Sequence, residues 1–196
     1  MLNNPIPTLD VLLFTHEHSD HTAGIDDIRP YYFKQGDIPI YAHNRVIGSL
    51  KKRFDYIFEV ENKYPGAPGV IINEVINNKT ITLENGVDVI PINCFHGDLQ
   101  VFGYRVAGVA YLTDVKTVPE EEIDKLKDLD VLIINALRIS PHKTHFNLEE
   151  ALFVHRLLKP KKTILTNLSH DIDYNFLLRK LPKNVLPAYD GLSLNL

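Results

Sequence analysis

The run Phe14-Thr15-His16-Glu17-His18-Ser19-Asp20-His21 gathers four side chains able to ligate a metal, His16, His18, Asp20 and His21, in one short stretch. Neutral imidazoles and a carboxylate suit zinc, manganese or iron. The run continues the apolar stretch Val11-Leu12-Leu13-Phe14, which reads as a short buried strand. The donors therefore sit at a strand's C-terminal end, where α/β folds commonly build their sites. On an extended backbone, period 2 points His16 and His18 the same way. Ser19 then caps a helix over 20–28, which turns Asp20 and His21 toward another side of the same cavity. Ligands so closely spaced wrap poorly around one ion, and two neighbouring ions fit them better.

A dinuclear site needs more donors, and the chain offers them at equivalent places. His96 follows the apolar run that begins at Val87. Asp114 ends Val109-Ala110-Tyr111-Leu112-Thr113, and His170 comes just after Thr163-Ile164-Leu165-Thr166-Asn167-Leu168. Alone, each also reads as an ordinary loop, turn or surface residue. The repeated order of strand followed by ligand joins them to the opening run.

In this order the residues resemble the metallo-β-lactamase superfamily. The resemblance implies that His16, His18 and His96 hold one divalent metal ion and that Asp20, His21 and His170 hold a second, with Asp114 bridging. The two ions would be zinc or manganese. Gly24-Ile25-Asp26-Asp27-Ile28-Arg29-Pro30, His145-Phe146-Asn147-Leu148-Glu149-Glu150-Ala151 and Ala188-Tyr189-Asp190-Gly191-Leu192 resemble one subgroup. It includes the cyclic-phosphate phosphodiesterase of phosphonate breakdown and the related transfer-RNA 3′-end nucleases. There a histidine in the position of His145 lies near the scissile phosphate and is not a metal ligand. His142, three residues earlier, is the alternative. His145 and Asp20 are the expected catalytic residues.

The fold that the resemblance implies is α/β, an αββα sandwich of metallo-β-lactamase type, lacking the strands that usually precede the first metal motif. Either the chain is an N-terminally shortened version, or those strands come from a neighbouring subunit. An uncovered apolar sheet edge invites pairing with another chain, so a homo-oligomer is part of the expectation.

The elements that must position the donors follow from periodicity. Strands are predicted at 10–15, 39–42, 70–76, 80–83, 87–95, 100–106, 108–113, 131–136, 162–166 and 185–189, and helices at 20–28, 44–53, 120–127, 147–158 and 173–181. Asn147 is a good cap for the helix that follows it. His155 lies on that helix's apolar stripe and reads as a packed residue at the core's edge. Arg29 either touches phosphate or braces its loop.

With 196 residues, 44% of them hydrophobic, the chain suffices for one domain spanning 1–196. The net charge of −4 does not favour a large nucleic-acid surface. The clusters Lys51-Lys52-Arg53 and Lys159-Pro160-Lys161-Lys162 read as solvated helix ends. No apolar run reaches the roughly 20 residues of a membrane span, and the N-terminus lacks a signal peptide's pattern. The single cysteine, Cys94, excludes an internal disulfide and reads as a buried apolar residue, which points to a reducing cytoplasm.

The expected activity is that of a dinuclear metal-dependent hydrolase acting on a small cyclic or nucleotide phosphodiester, through a hydroxide held between the metals. His145 would protonate the leaving oxygen or stabilise charge on the phosphate. Two alternatives stand beside it. One is a lactone or thioester hydrolase on the same metals; the other is a non-catalytic metal-binding or partner-binding domain.

Overall fold

Strand β2 (Ile38–Ala42) shows the rule that builds both sheets. Its alternation of apolar and half-exposed positions buries Ile38, Ile40 and Ala42 completely and leaves Pro39 and Tyr41 partly exposed. In the computed structural model, which describes residues 6–59, 61 and 63–195, the chain forms two compact units, residues 1–76 and 77–196.

The first unit carries a three-stranded parallel sheet in the order β1-β2-β3, with β1 at Leu12–Leu13 and β3 at Val70–Glu74. Strand β1 is shorter than the predicted 10–15, although Phe14 N–H still donates to Tyr41 O at 2.9 Å. The predicted helix 20–28 is instead a single α-turn, α1 (Ser19–Thr22), followed by a 3-10 segment at Ala23–Ile28. A further helix, α2 (Arg29–Gln35), follows directly. No helix was predicted here, yet Pro30 suits it: a proline in the first helical turn forfeits only an N–H that has no intrahelical partner. Helix α3 (Asn44–Arg53) lies where predicted, and α4 (Asp55–Phe58) is an addition. The core of this unit includes Phe14, Ile25, Ile28, Ile38, Val46 and Leu50.

The second unit is built on a seven-stranded sheet, β10-β9-β8-β7-β6-β5-β4. Strands β4 (Ile81–Thr82), β5 (Asp88–His96), β6 (Leu99–Val106) and β7 (Val109–Leu112) form an antiparallel meander. Strands β8 (Val131–Asn135), β9 (Lys162–Thr166) and β10 (Val185–Pro187) then continue parallel to β7. Parallel neighbours need crossovers. A 3-10 segment at Glu120–Leu126, where an α-helix was predicted, lies between β7 and β8; α5 (Leu148–Leu158) and α6 (Tyr174–Lys180) fill the next two connections. The C-terminal ends of β7, β8 and β9 therefore lie side by side at one end of the sheet.

The α/β class read from the sequence is the observed one, with ten strands among the described residues at nearly the predicted positions. Among the described residues, no helix is long and apolar enough to cross a membrane.

Candidate functional site

In the first unit the donor run leaves β1 and enters α1 at His18, which occupies the helix N-cap position without a side-chain capping bond. Ser19 lies inside the helix and is not its cap. Its hydroxyl accepts from Arg53 Nη1 at 3.3 Å. Arg53 also donates from Nη2 to Glu17 O at 3.0 Å and to the Thr22 hydroxyl at 2.7 Å, so the last residue of α3 clamps the turn. Glu17 is tied to the same helix, its Oε1 accepting from Arg45 Nε at 2.7 Å. Burial pushes the Glu17 carboxyl up, but the Arg45 hydrogen bond, a backbone hydrogen bond and the charges of Arg45 and His16 together outweigh it and hold the group below the usual carboxylate value.

Held in this way, the donors converge. His16 is fully buried and its Nε2 lies 3.0 Å from His18 Nδ1, while its Nδ1 meets the Thr15 hydroxyl at 3.0 Å. The rings of His16 and His21 stand 4.3 Å apart, and His21 Nε2 lies 3.3 Å from Asp20 Oδ2. All four residues expected from the opening run form one connected cluster.

The second unit brings its own donors together. Period 2 along β5 puts His96 on the same buried face as Ile92 and Cys94. Its Nδ1 donates to the Thr144 carbonyl at 2.8 Å, and because a carbonyl only accepts, the lone pair of His96 belongs to Nε2. Metal-bound histidines are commonly oriented by such a bond. Gly97 permits this approach: at φ +62°, a Cβ would stand 2.9 Å from Thr144 Cγ2.

Asp114 follows β7 with a left-handed φ of 54° and is almost fully buried. One donor atom from each of His96, Asp114 and His145 lies within 4.8 Å of the others. His145 Nε2 is 3.5 Å from Asp114 Oδ1, and its ring is 4.4 Å from that of His96. His142 is one step removed. It contacts His145 Nδ1 at 3.2 Å through its own Nδ1 and is held below the ordinary imidazole value by burial and then by the nearby His145, Arg138 and Lys116.

His170 lies elsewhere in this unit: its side chain is 95% exposed and its Nε2 is 3.4 Å from the Asp171 carboxylate. Arg29 pairs with Asp26 at 3.1 Å, and the other oxygen of Asp26 accepts from the Tyr56 hydroxyl at 2.7 Å, so Arg29 braces its loop.

Two asparagines escaped the sequence reading. Asn135, at the end of β8 and fully buried, accepts from Val115 N–H at 2.8 Å and donates to Val115 O at 3.1 Å, which fixes the backbone just after Asp114. Asn167, just past β9, donates from Nδ2 to Asp114 Oδ1 and accepts from the Thr113 hydroxyl at 2.9 Å. Their signal was available: each closes an apolar strand run as Asp114 closes β7. Farther along, the capping box of Asn147 and Glu150 starts α5, and Glu150 also takes Lys116 Nζ at 2.6 Å.

Imidazole nitrogens and a buried carboxylate within this reach are a chemically suitable set for a divalent cation. Residues 2–167 match a family model described as a beta-lactamase superfamily domain. The chain belongs to the beta-lactamase superfamily. Among solved members, a diphosphatase of the PhnP family is 35% identical and superposes with a TM-score of 0.87, covering 97% of this chain and 72% of that one. The short form of human tRNase Z shares the fold at 16% identity and a TM-score of 0.62, over 93% of this chain and 77% of that one. The Zn(2+)-bound PqqB of Methylobacterium extorquens shares it at 15% identity and a TM-score of 0.74, over 98% and 77%. An octanoyltransferase of Porphyromonas gingivalis is 34% identical over 189 residues, which is 95% of this chain. The chain spans 38% of the length of that curated relative.

Proposed function

We propose that this beta-lactamase superfamily member is a metal-dependent hydrolase that acts on a small phosphodiester and uses two divalent cations. The reading is carried by the grouping of His96, Asp114 and His145 within 4.8 Å in a chain 35% identical to a PhnP-family diphosphatase. Bound divalent cations supply Lewis acidity and bring the pKa of a water toward neutrality. The protein's own residues do the rest. His16 and His18 present lone pairs from a turn fixed by Arg45 and Arg53. Asp114, held in its left-handed conformation, brings a buried negative charge. His145, outside the proposed ligand set, is suited to passing a proton to the leaving oxygen from Nε2, since its other nitrogen is engaged by the Thr144 hydroxyl at 3.0 Å.

Elemental analysis of the purified protein, run beside turnover with zinc and manganese supplied separately, tests this reading. The assay compares bis-p-nitrophenyl phosphate and an inorganic diphosphate with a thioester panel. Bound metal with phosphate-ester turnover is the expected result. Metal without turnover on any substrate would favour a non-catalytic binding domain. A second reading, hydrolysis of an acyl thioester or lactone, is favoured by the octanoyltransferase relative; turnover confined to the thioesters would select it.

A further inference from the structure

We infer that Asn167 is a positioning residue for Asp114 and sets how tightly the donors of the second unit hold a divalent cation. The inference rests on the proposed reading that these donors bind metal, and it assigns the task to an amide that is not in the expected ligand set.

Three observations carry it. First, Asn167 donates from Nδ2 to Asp114 Oδ1, so one oxygen of the buried carboxylate has a neutral donor fixed against it. Such a bond selects one rotation of the carboxylate and stabilises its ionised form without adding a competing charge. Second, the amide itself is oriented. The Thr113 hydroxyl donates to Asn167 Oδ1 at 2.9 Å, which commits the oxygen end to Thr113 and the nitrogen end to Asp114. Thr113 is nearly fully buried, so water has little access to compete for that bond. Third, the backbone is shaped for the contact. Asp114 and Asn167 both have φ of 54°, in the left-handed region that Asn and Asp tolerate better than most residues. Each is the turn that ends its strand run, on β7 and β9, which flank β8 in the sheet.

The contrast with His170 sharpens the assignment. His170 follows the same strand, three residues farther on, and its side chain is 95% exposed. Asn167, just past β9, reaches Asp114. Removing a group that orients a metal ligand commonly costs 10- to 100-fold in metal affinity.

The test is cation affinity, read by isothermal titration with manganese and by the visible absorption of bound cobalt. Asn167→Gly removes the amide yet tolerates the left-handed backbone, and Asn167→Ala serves as its companion. The expected result is a loss of about 10- to 100-fold in the affinity of at least one cation, with a shifted cobalt spectrum and a melting midpoint near that of the wild type. Thr113→Val should weaken binding in the same direction, and Thr113→Ser, which keeps the hydroxyl, should restore it. Affinity within twofold of wild type in both Asn167 variants overturns the inference, as does loss of binding only in proportion to loss of folded protein. Wild-type protein that binds cations but turns over no substrate refutes the proposed hydrolase and leaves this readout intact. Wild-type protein that binds no divalent cation overturns both.

Discussion

Replacing Asn135 by alanine removes two side-chain hydrogen bonds to the backbone of Val115, the residue after Asp114. Asn135 and Val115 are each fully buried, and the side chain accepts from Val115 N–H at 2.8 Å and donates to Val115 O at 3.1 Å. Val115 O keeps the bond it accepts from Phe146 N–H at 2.8 Å, so Val115 N–H is the buried polar group left without a partner, at a cost of about 1–3 kcal/mol. For a chain of this length about 1 kcal/mol shifts the melting midpoint by roughly 2–4 °C. A loss near the middle of the range therefore lowers it by about 4–8 °C. Scanning calorimetry or thermal circular dichroism reads the shift, and a midpoint within about 2 °C of wild type would refute the reasoning. Asn135→Asp separates the two bonds. Its carboxylate still accepts from Val115 N–H but offers no donor to Val115 O until it is protonated. Burial raises the folded pKa of such a carboxyl above the unfolded value of about 3.9. Its contribution is then greatest at low pH and is lost as pH rises through the folded value. The gap between Asn135→Asp and wild type should accordingly be smaller at pH 4.5 than at pH 8, and an unchanged gap would show that the lost donor is not the cause.

Three further outcomes are expected. Asp20→Ala should lower the metal content by one ion per chain and with it the turnover; a variant that keeps both metals and full rate refutes that assignment. His155 is buried against the Thr163 hydroxyl at 2.8 Å, and burial, then the Arg156 charge, holds it below the ordinary imidazole value of 6.5. Its neutral form stabilises the fold above that value, and the contribution is lost as pH falls through the folded value. The urea midpoint should thus drop more between pH 7.5 and 5.5 for wild type than for His155→Gln; equal drops would exclude this histidine as the cause. Cys94 is fully buried and burial pushes its thiol up to about 12, so it should resist a thiol reagent such as Ellman's in the native protein and react on unfolding. Rapid reaction under native conditions would contradict the packing of β5.

Much of the fold was legible because strands declare themselves by period. The Asp88–His96 strand is such a case, its alternation carrying Ile92, Cys94 and His96 to one face. Helix starts were legible where a capping side chain is local, as at Asn147 with Glu150. Helix α2, with Pro30 in its first turn, was not predicted, because a proline begins a helix or ends one according to its position in the turn. The short helix α4 and the 3-10 winding at Ala23–Ile28 and Glu120–Leu126 likewise lay below what periodicity resolves over so few residues.

From residue types and order alone came the donor set and its chemistry. Imidazoles and carboxylates keep their ligand character wherever they sit, and spacing along an extended strand already orients His16 with His18. Which side chains hold those donors was decided only by the tertiary structure. Arg53 reaches the turn at Glu17 from 36 residues away, and Asn167 reaches Asp114 from 53 residues away. Such partners meet because strands distant in the chain are hydrogen-bonded neighbours in a sheet or because a helix packs across a turn. Local sequence carries no record of that pairing, which is why candidate donors could be named in advance and their supports could not.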